Sequence, residues 1–166
     1  MTTSLLDDAM AHHIWATEQL IDECAALTPE QLATPAPGTY GSILDTFRHL
    51  VSTDCWYLTF FGQASQLVEE DSSATLDELR SAITTNGQAW KELLAGGLDG
   101  EADIIEHGDG WNFHSPTGFR LAQVIHHGTD HRSQICTALT SFGRSPPEID
   151  LWAFGEATGR TRPEYL

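Results

Sequence analysis

Apolar residues recur at three- and four-residue steps in four separate stretches of this chain, a spacing that admits little besides packed amphipathic helices. Leu5, Leu6, Met10, Ile14, Leu20, Ile21, Cys24 and Leu27 mark one buried face and predict a first long helix over about 4–27. Thr28, Pro29 and Gln31 read as the cap, first-turn proline and capping-box partner of a short helical turn before the loop at 34–38. Ser42 with Asp45 opens a second long helix over about 43–61, with Gly62 as its C-cap. Thr75 with Glu78 opens a third, which carries Leu79, Ile83, Trp90 and Leu94 inward and stops at Gly96 and Gly97. The glycine- and aromatic-rich stretch that follows suggests two short extended pieces, 103–106 and 111–114, around a turn at Gly108, Asp109 and Gly110. Thr117 is placed to cap a fourth long helix that turns Leu121, Val124, Ile135 and Leu139 inward and closes at Gly143. Pro146 and Pro147 then force an extended crossing into a short helical piece over about 151–157. An all-α antiparallel four-helix bundle is the expected fold.

With 166 residues, 40% of them apolar, the chain can bury a core of domain size. Eight Lys plus Arg stand against 24 Asp plus Glu, and the formal charge of -16 repels phosphate backbones and anionic headgroups, so nucleic acid and membrane surfaces are not expected partners. No run approaches the roughly 20 apolar residues of a membrane-spanning helix. The N-terminus lacks the basic region of a signal peptide, so a cytoplasmic protein is expected. Cys24, Cys55 and Cys136 are odd in number and widely spaced, which suits reduced core thiols.

Chemistry is to be sought among the eight histidines. His127 and His131 are one turn apart on the fourth helix, on the line Val124, His127, Gly128, His131, Ile135 and Ala138, so both rings should point into the bundle. On the second long helix, Ser42, Asp45, Thr46, His49, Ser52, Thr53 and Trp56 form a polar seam beside the core stripe, and His49 sits in it. Two inward histidines from one helix and a third from another leave coordination positions open, as in a metal that takes water or substrate. Three neutral nitrogens suit zinc, nickel, copper or iron; core histidines satisfied by hydrogen bonds are the alternative. His12 and His13 are adjacent, so at most one reaches the interior, and His12 is expected in solvent. His126 and Asp130 should lie at the rim, and His107 and His114 at the surface. The five tryptophans, Trp15, Trp56, Trp90, Trp111 and Trp152, suit either core or pocket walls. No G-x-S-x-G elbow, phosphate loop or H-E-x-x-H motif is present.

Three stretches resemble the DinB/YfiT-like metal-binding four-helix bundles: His13-Ile14-Trp15-Ala16; Gly41-Ser42-Ile43 leading to His49, Leu50 and Trp56; and His127-Gly128-Thr129-Asp130-His131-Arg132-Ser133-Gln134. The last is similar to that family's H-G-T-x-H-R-G-Q pattern, with Ser133 in place of the glycine and Asp130 where many relatives carry another histidine. Gly143 with Pro146, Pro147 and Ile149 to Trp152 is a weaker echo. The resemblance implies a single DinB-like domain over 1–166, a metal triad of His49, His127 and His131, one divalent ion with zinc or nickel foremost, and a homodimer formed through the bundle helices. It further implies either a metal-dependent thiol S-transferase or isomerase acting on a small electrophile with a low-molecular-weight thiol as co-substrate, or a stress-linked metal binder without turnover, or a metal-dependent hydrolase. Arg120, Arg132 and Arg144 are candidates to hold substrate carboxylates.

Overall fold

The computed structural model describes residues 6–63, 68–70 and 72–164. The helices are α1 (Asp7–Cys24), α2 (Pro29–Ala33), α3 (Ile43–Thr59), α4 (Leu76–Ala95), α5 (Thr117–Ser141) and α6 (Leu151–Ala157), with a hairpin of β1 (Asp103–Gly108) and β2 (Trp111–Pro116) ahead of α5. Three helices start as their sequences dictate. Thr28, Ser42 and Thr75 each accept a hydrogen bond from the backbone three residues on, while Gln31, Asp45 and Glu78 reach back to the capping residue. Thr117 behaves otherwise: Pro116 is the capping residue of α5, and the Thr117 hydroxyl donates instead to the Ala102 carbonyl (3.1 Å), tying the helix start to the base of the hairpin. The hairpin is longer than expected, pairing Asp103 with Pro116 through to Gly108 with Trp111, and Gly110 supplies the left-handed turn residue (φ 77°). The first helix is shorter than its apolar stripe, because Ala25 to Leu27 form a turn; Ser4 and Leu5 lie outside the described residues.

Helices α1, α3, α4 and α5 make the bundle, with α1 and α3 each packed against both α4 and α5. Cross-contacts fix their directions. Glu18 and Asp22 meet Arg80, and Ile14 faces Gly87, so α1 and α4 run opposite ways. His49 meets His127 while Arg120 lies over Phe60, so α3 and α5 do too. Arg48 reaches Ala74 and Cys55 reaches Asn86, which makes α3 and α4 parallel; the connection over 60–75 is long enough to return the chain along the bundle. Antiparallel packing thus describes the α1–α4 and α3–α5 pairs, with parallel pairs between them. The core they enclose holds Trp90, Phe47, Leu20, Ile43, Leu50, Leu58, Ile83 and Leu139, all essentially inaccessible and each contributing about 1.5–3 kcal/mol by burial. No helix among the described residues is long and apolar enough to cross a membrane.

One polar strut crosses this core. Arg132 on α5 carries only donors, so its Nη1 donates to His13 Nδ1 on α1 (3.0 Å), which leaves His13 Nε2–H to donate to Asp54 Oδ1 on α3 (3.2 Å). Trp90 Nε1 on α4 donates to both Asp54 oxygens (3.1 and 3.2 Å), and Arg132 also reaches the His13 carbonyl and Thr17. Burial lowers the Arg132 pKa to about 10, with the Asp54 charge acting the other way, so the guanidinium stays charged at neutral pH. Gly128 makes room: a Cβ there would sit 2.4 Å from His13 Nδ1 and Cε1 and 2.8 Å from Arg132 Nη1.

Candidate metal centre

His49 lies two turns into α3, and His127 and His131 lie one turn apart near the middle of α5, where antiparallel packing brings the two helices together. Their ring centroids are 5.0 Å (His49–His127), 4.7 Å (His49–His131) and 4.4 Å (His127–His131) apart. One ligand nitrogen from each ring lies within 4.8 Å of the others, and this is the one such group among the described residues. His49 Nε2 and His127 Nε2 are 3.1 Å apart. Imidazole nitrogens about 2.0–2.1 Å from a shared ion stand about 3 Å from one another, so the donor set fits a divalent metal.

The outer nitrogens of His49 and His131 each face an oxygen. Glu70 Oε2 lies 3.1 Å from His49 Nδ1, out of line with the N–H, so this buried nitrogen has an ion-pair neighbour and no hydrogen bond. Gln134 Oε1 lies 3.2 Å from His131 Nδ1. Tyr40 stacks on His49 (centroids 4.1 Å, 18°), donates its hydroxyl to Glu70 and its backbone N–H to Gln134 Oε1 (2.9 Å). Burial, then the neighbouring His131 and His49, lower the His127 pKa to about 4; burial and His49 lower that of His131. Both rings are therefore neutral at physiological pH, the form that offers a lone pair to a metal. The Tyr40 and His49 contacts hold the Glu70 carboxyl below its ordinary pKa, so it is ionised beside the centre.

The polar seam on α3 continues from His49 into a groove of about 420 Å³ lined by Ser52, Thr53, Trp56 and Thr59, with Val68, Glu69 and Glu70 opposite. A larger cavity of about 860 Å³ lies between α1, α4 and the α6 region and shares no lining residue with the histidine cluster. Size does not decide here; the convergent donors do.

The remaining candidates separate cleanly. His126 and Asp130 are exposed rim residues, and His107 and His114 are exposed on the hairpin, bonded to Asn112 (2.8 Å) and Asp103 (2.7 Å). His12, expected in solvent, is half-buried: its Nε2 meets the Ile149 carbonyl at 2.7 Å and its ring packs against Trp15 and Phe154, because the segment after Pro147 folds back over α1. Cys24 and Cys55 are buried and Cys136 half-buried, none of them in a disulfide; burial pushes the Cys24 thiol up to about 12 and raises Cys136. Arg132 is committed to the strut, Arg144 to Glu23 (3.2 Å), and Arg120 to Ser115 (2.6 Å) and Glu106 (3.4 Å) while covering Phe60 (4.1 Å). Of the tryptophans, Trp90 is core, Trp56 and Trp15 line the two cavities, and Trp111 and Trp152 are exposed.

Sequence reasoning misses Glu70, Tyr40 and the His13–Asp54 pair. Glu70 and Tyr40 sit in polar connections without periodicity, whereas Gln134, three residues after His131, is a helical neighbour that spacing alone could have found. Among curated proteins, none matches the chain. Residues 1–164 match the DinB family profile, and with the helical bundle and its three-histidine cluster in place, the chain belongs to the DinB family.

Proposed function

We propose that the chain acts as a single DinB-like domain that binds one divalent metal ion, zinc or nickel foremost, through His49, His127 and His131, and uses it for S-transfer or isomerisation with a low-molecular-weight thiol. The observation that carries this reading is the convergence of three imidazoles from two helices, with the outer nitrogens of His49 and His131 facing Glu70 and Gln134 and a groove beside them. Bound there, the metal would lower the pKa of a thiol and favour its thiolate. The chain's own residues do the rest. The α3–α5 packing fixes the distance between ligands, and the lowered pKa values of His127 and His131 keep protons from competing for their lone pairs. Trp56 and the hydroxyls of Ser52, Thr53 and Thr59 offer an apolar face and hydrogen-bonding groups to a small electrophile. The protein's cysteines are held in or against the core with raised pKa values at Cys24 and Cys136, which favours an external thiol as nucleophile. A homodimer through the bundle helices belongs to the same proposal.

The test is to load the protein with cobalt and add bacillithiol, mycothiol and glutathione in turn, each with a chlorinated aromatic or maleyl electrophile. A thiol-induced change in the cobalt spectrum and a metal-dependent conjugate or isomer with one thiol are expected. No spectral change and no product with any of them would overturn the thiol reading in favour of a metal binder without turnover.

A further inference from the structure

We infer that Tyr40 and Glu70 form a latch over the three-histidine centre, in which Glu70 fixes the nitrogen that His49 presents and Tyr40 holds Glu70 and Gln134 in place. The inference rests on the metal reading above and goes beyond its ligands. Tyr40 stands in the loop before α3 and Glu70 in the connection before α4, so neither belongs to a bundle helix. Yet Tyr40 touches two of the three histidines and both of the residues that face their outer nitrogens. Its ring lies flat on His49 and edge-on to His131 (5.4 Å, 89°), its hydroxyl meets Glu70 Oε1, and its backbone N–H meets the Gln134 oxygen that also faces His131 Nδ1.

The chemistry gives these contacts a purpose. An imidazole offers an Nε2 lone pair only when its proton resides on Nδ1, and a carboxylate beside Nδ1 favours that tautomer. Glu70 Oε2, 3.1 Å from His49 Nδ1, is that carboxylate, and Gln134 Oε1 does the same for His131. The Tyr40 hydroxyl occupies the other Glu70 oxygen and so leaves Oε2 turned toward the ring. Tyr40 is 48% exposed, a poor position for an aromatic serving only the core, and both its donors are spent on residues facing the histidines. Glu70 and Tyr40 are accordingly positioning residues, acting on the metal through His49 and His131.

The experiment compares wild type, Tyr40→Phe, Glu70→Ala and the double variant by ¹⁵N NMR of the histidine rings in metal-free protein and by cobalt affinity against a competing chelator. In wild type the His49 proton is expected on Nδ1. Glu70→Ala should move it toward Nε2 and weaken cobalt binding about 10–100-fold. Tyr40→Phe should weaken binding by less, about three- to tenfold, and cost nothing further in the Glu70→Ala background, because the hydroxyl acts through the carboxylate. Both sites are exposed, so thermal midpoints of the metal-free variants should match wild type. An unchanged His49 tautomer and cobalt affinity in Glu70→Ala, or a full additional Tyr40→Phe effect in the double variant, would overturn the latch. If wild type bound no cobalt, the metal reading would fail, and the tautomer comparison alone would decide the latch.

Discussion

Two groups of histidine chemistry meet on α5, where His127 and His131 of one alternate with Gly128 and Arg132 beside the other, and they are built on opposite principles. In the strut, His13, Asp54, Arg132 and Trp90 satisfy one another: a neutral imidazole accepts from a guanidinium and donates to a carboxylate that also receives an indole N–H. In the cluster, His49, His127 and His131 turn nitrogens toward a common point with no carboxylate or guanidinium between them. The first arrangement uses up its hydrogen-bonding capacity and stiffens the bundle. The second brings ring nitrogens together, with His127 Nε2 3.1 Å from His49 Nε2, so that the single proton between them is one a cation can replace. Burial of a histidine is therefore uninformative by itself; what its ring nitrogens meet separates structure from function.

The contrast can be broken most forcefully at the strut. Asp54→Ala should destabilise the protein by about 3–5 kcal/mol, because it leaves the Arg132 charge buried without its counter-ion; a urea denaturation midpoint close to wild type would show that the network is not structural. Gly128→Ala comes next. Its methyl would collide with His13 and Arg132, costing about 1–3 kcal/mol, offset in part by the roughly 1 kcal/mol that alanine gains over glycine in a helix. Metal stoichiometry should survive that substitution, and elemental analysis of the loaded variant checks it.

The smallest effect belongs to pH. His127 has a folded pKa of about 4 against an unfolded value of 6.5, so the unfolded chain binds the extra proton between them. Its contribution to stability is fully present above pH 6.5 and is lost as pH falls toward 4. For a half-exposed ring the size is on the order of 1 kcal/mol after allowing for solvent screening. The metal-free His127→Ala variant should lose less stability than wild type between pH 7 and pH 4, measured by denaturant midpoints at each pH.

Much of the bundle and its three-histidine cluster is legible in the amino-acid sequence, for reasons that are themselves physical. Capping boxes at Thr28, Ser42 and Thr75 are local chemistry within four residues, and they start helices where the sequence places them. The His127–His131 pair is visible because helical spacing alone puts both rings on one face. The strut is invisible because His13, Asp54, Trp90 and Arg132 come from four helices, and adjacency of His12 and His13 says only that one can point inward. Glu70 and Tyr40 give no signal since their roles arise where two irregular connections meet over α3. Helix direction escapes for a similar reason: periodicity marks faces, whereas the parallel α3–α4 pair follows from cross-contacts such as Arg48 with Ala74.

We propose that the open cluster, and not the satisfied strut, holds the metal. Titration of the chelator-treated protein with zinc, followed by elemental analysis after gel filtration, tests it most directly on wild type, His127→Ala and the His49/His127/His131 triple alanine variant. One equivalent per chain in wild type, sharply reduced in His127→Ala and absent in the triple variant, is the predicted result. Full stoichiometric zinc in the triple variant, or none in wild type, would contradict it.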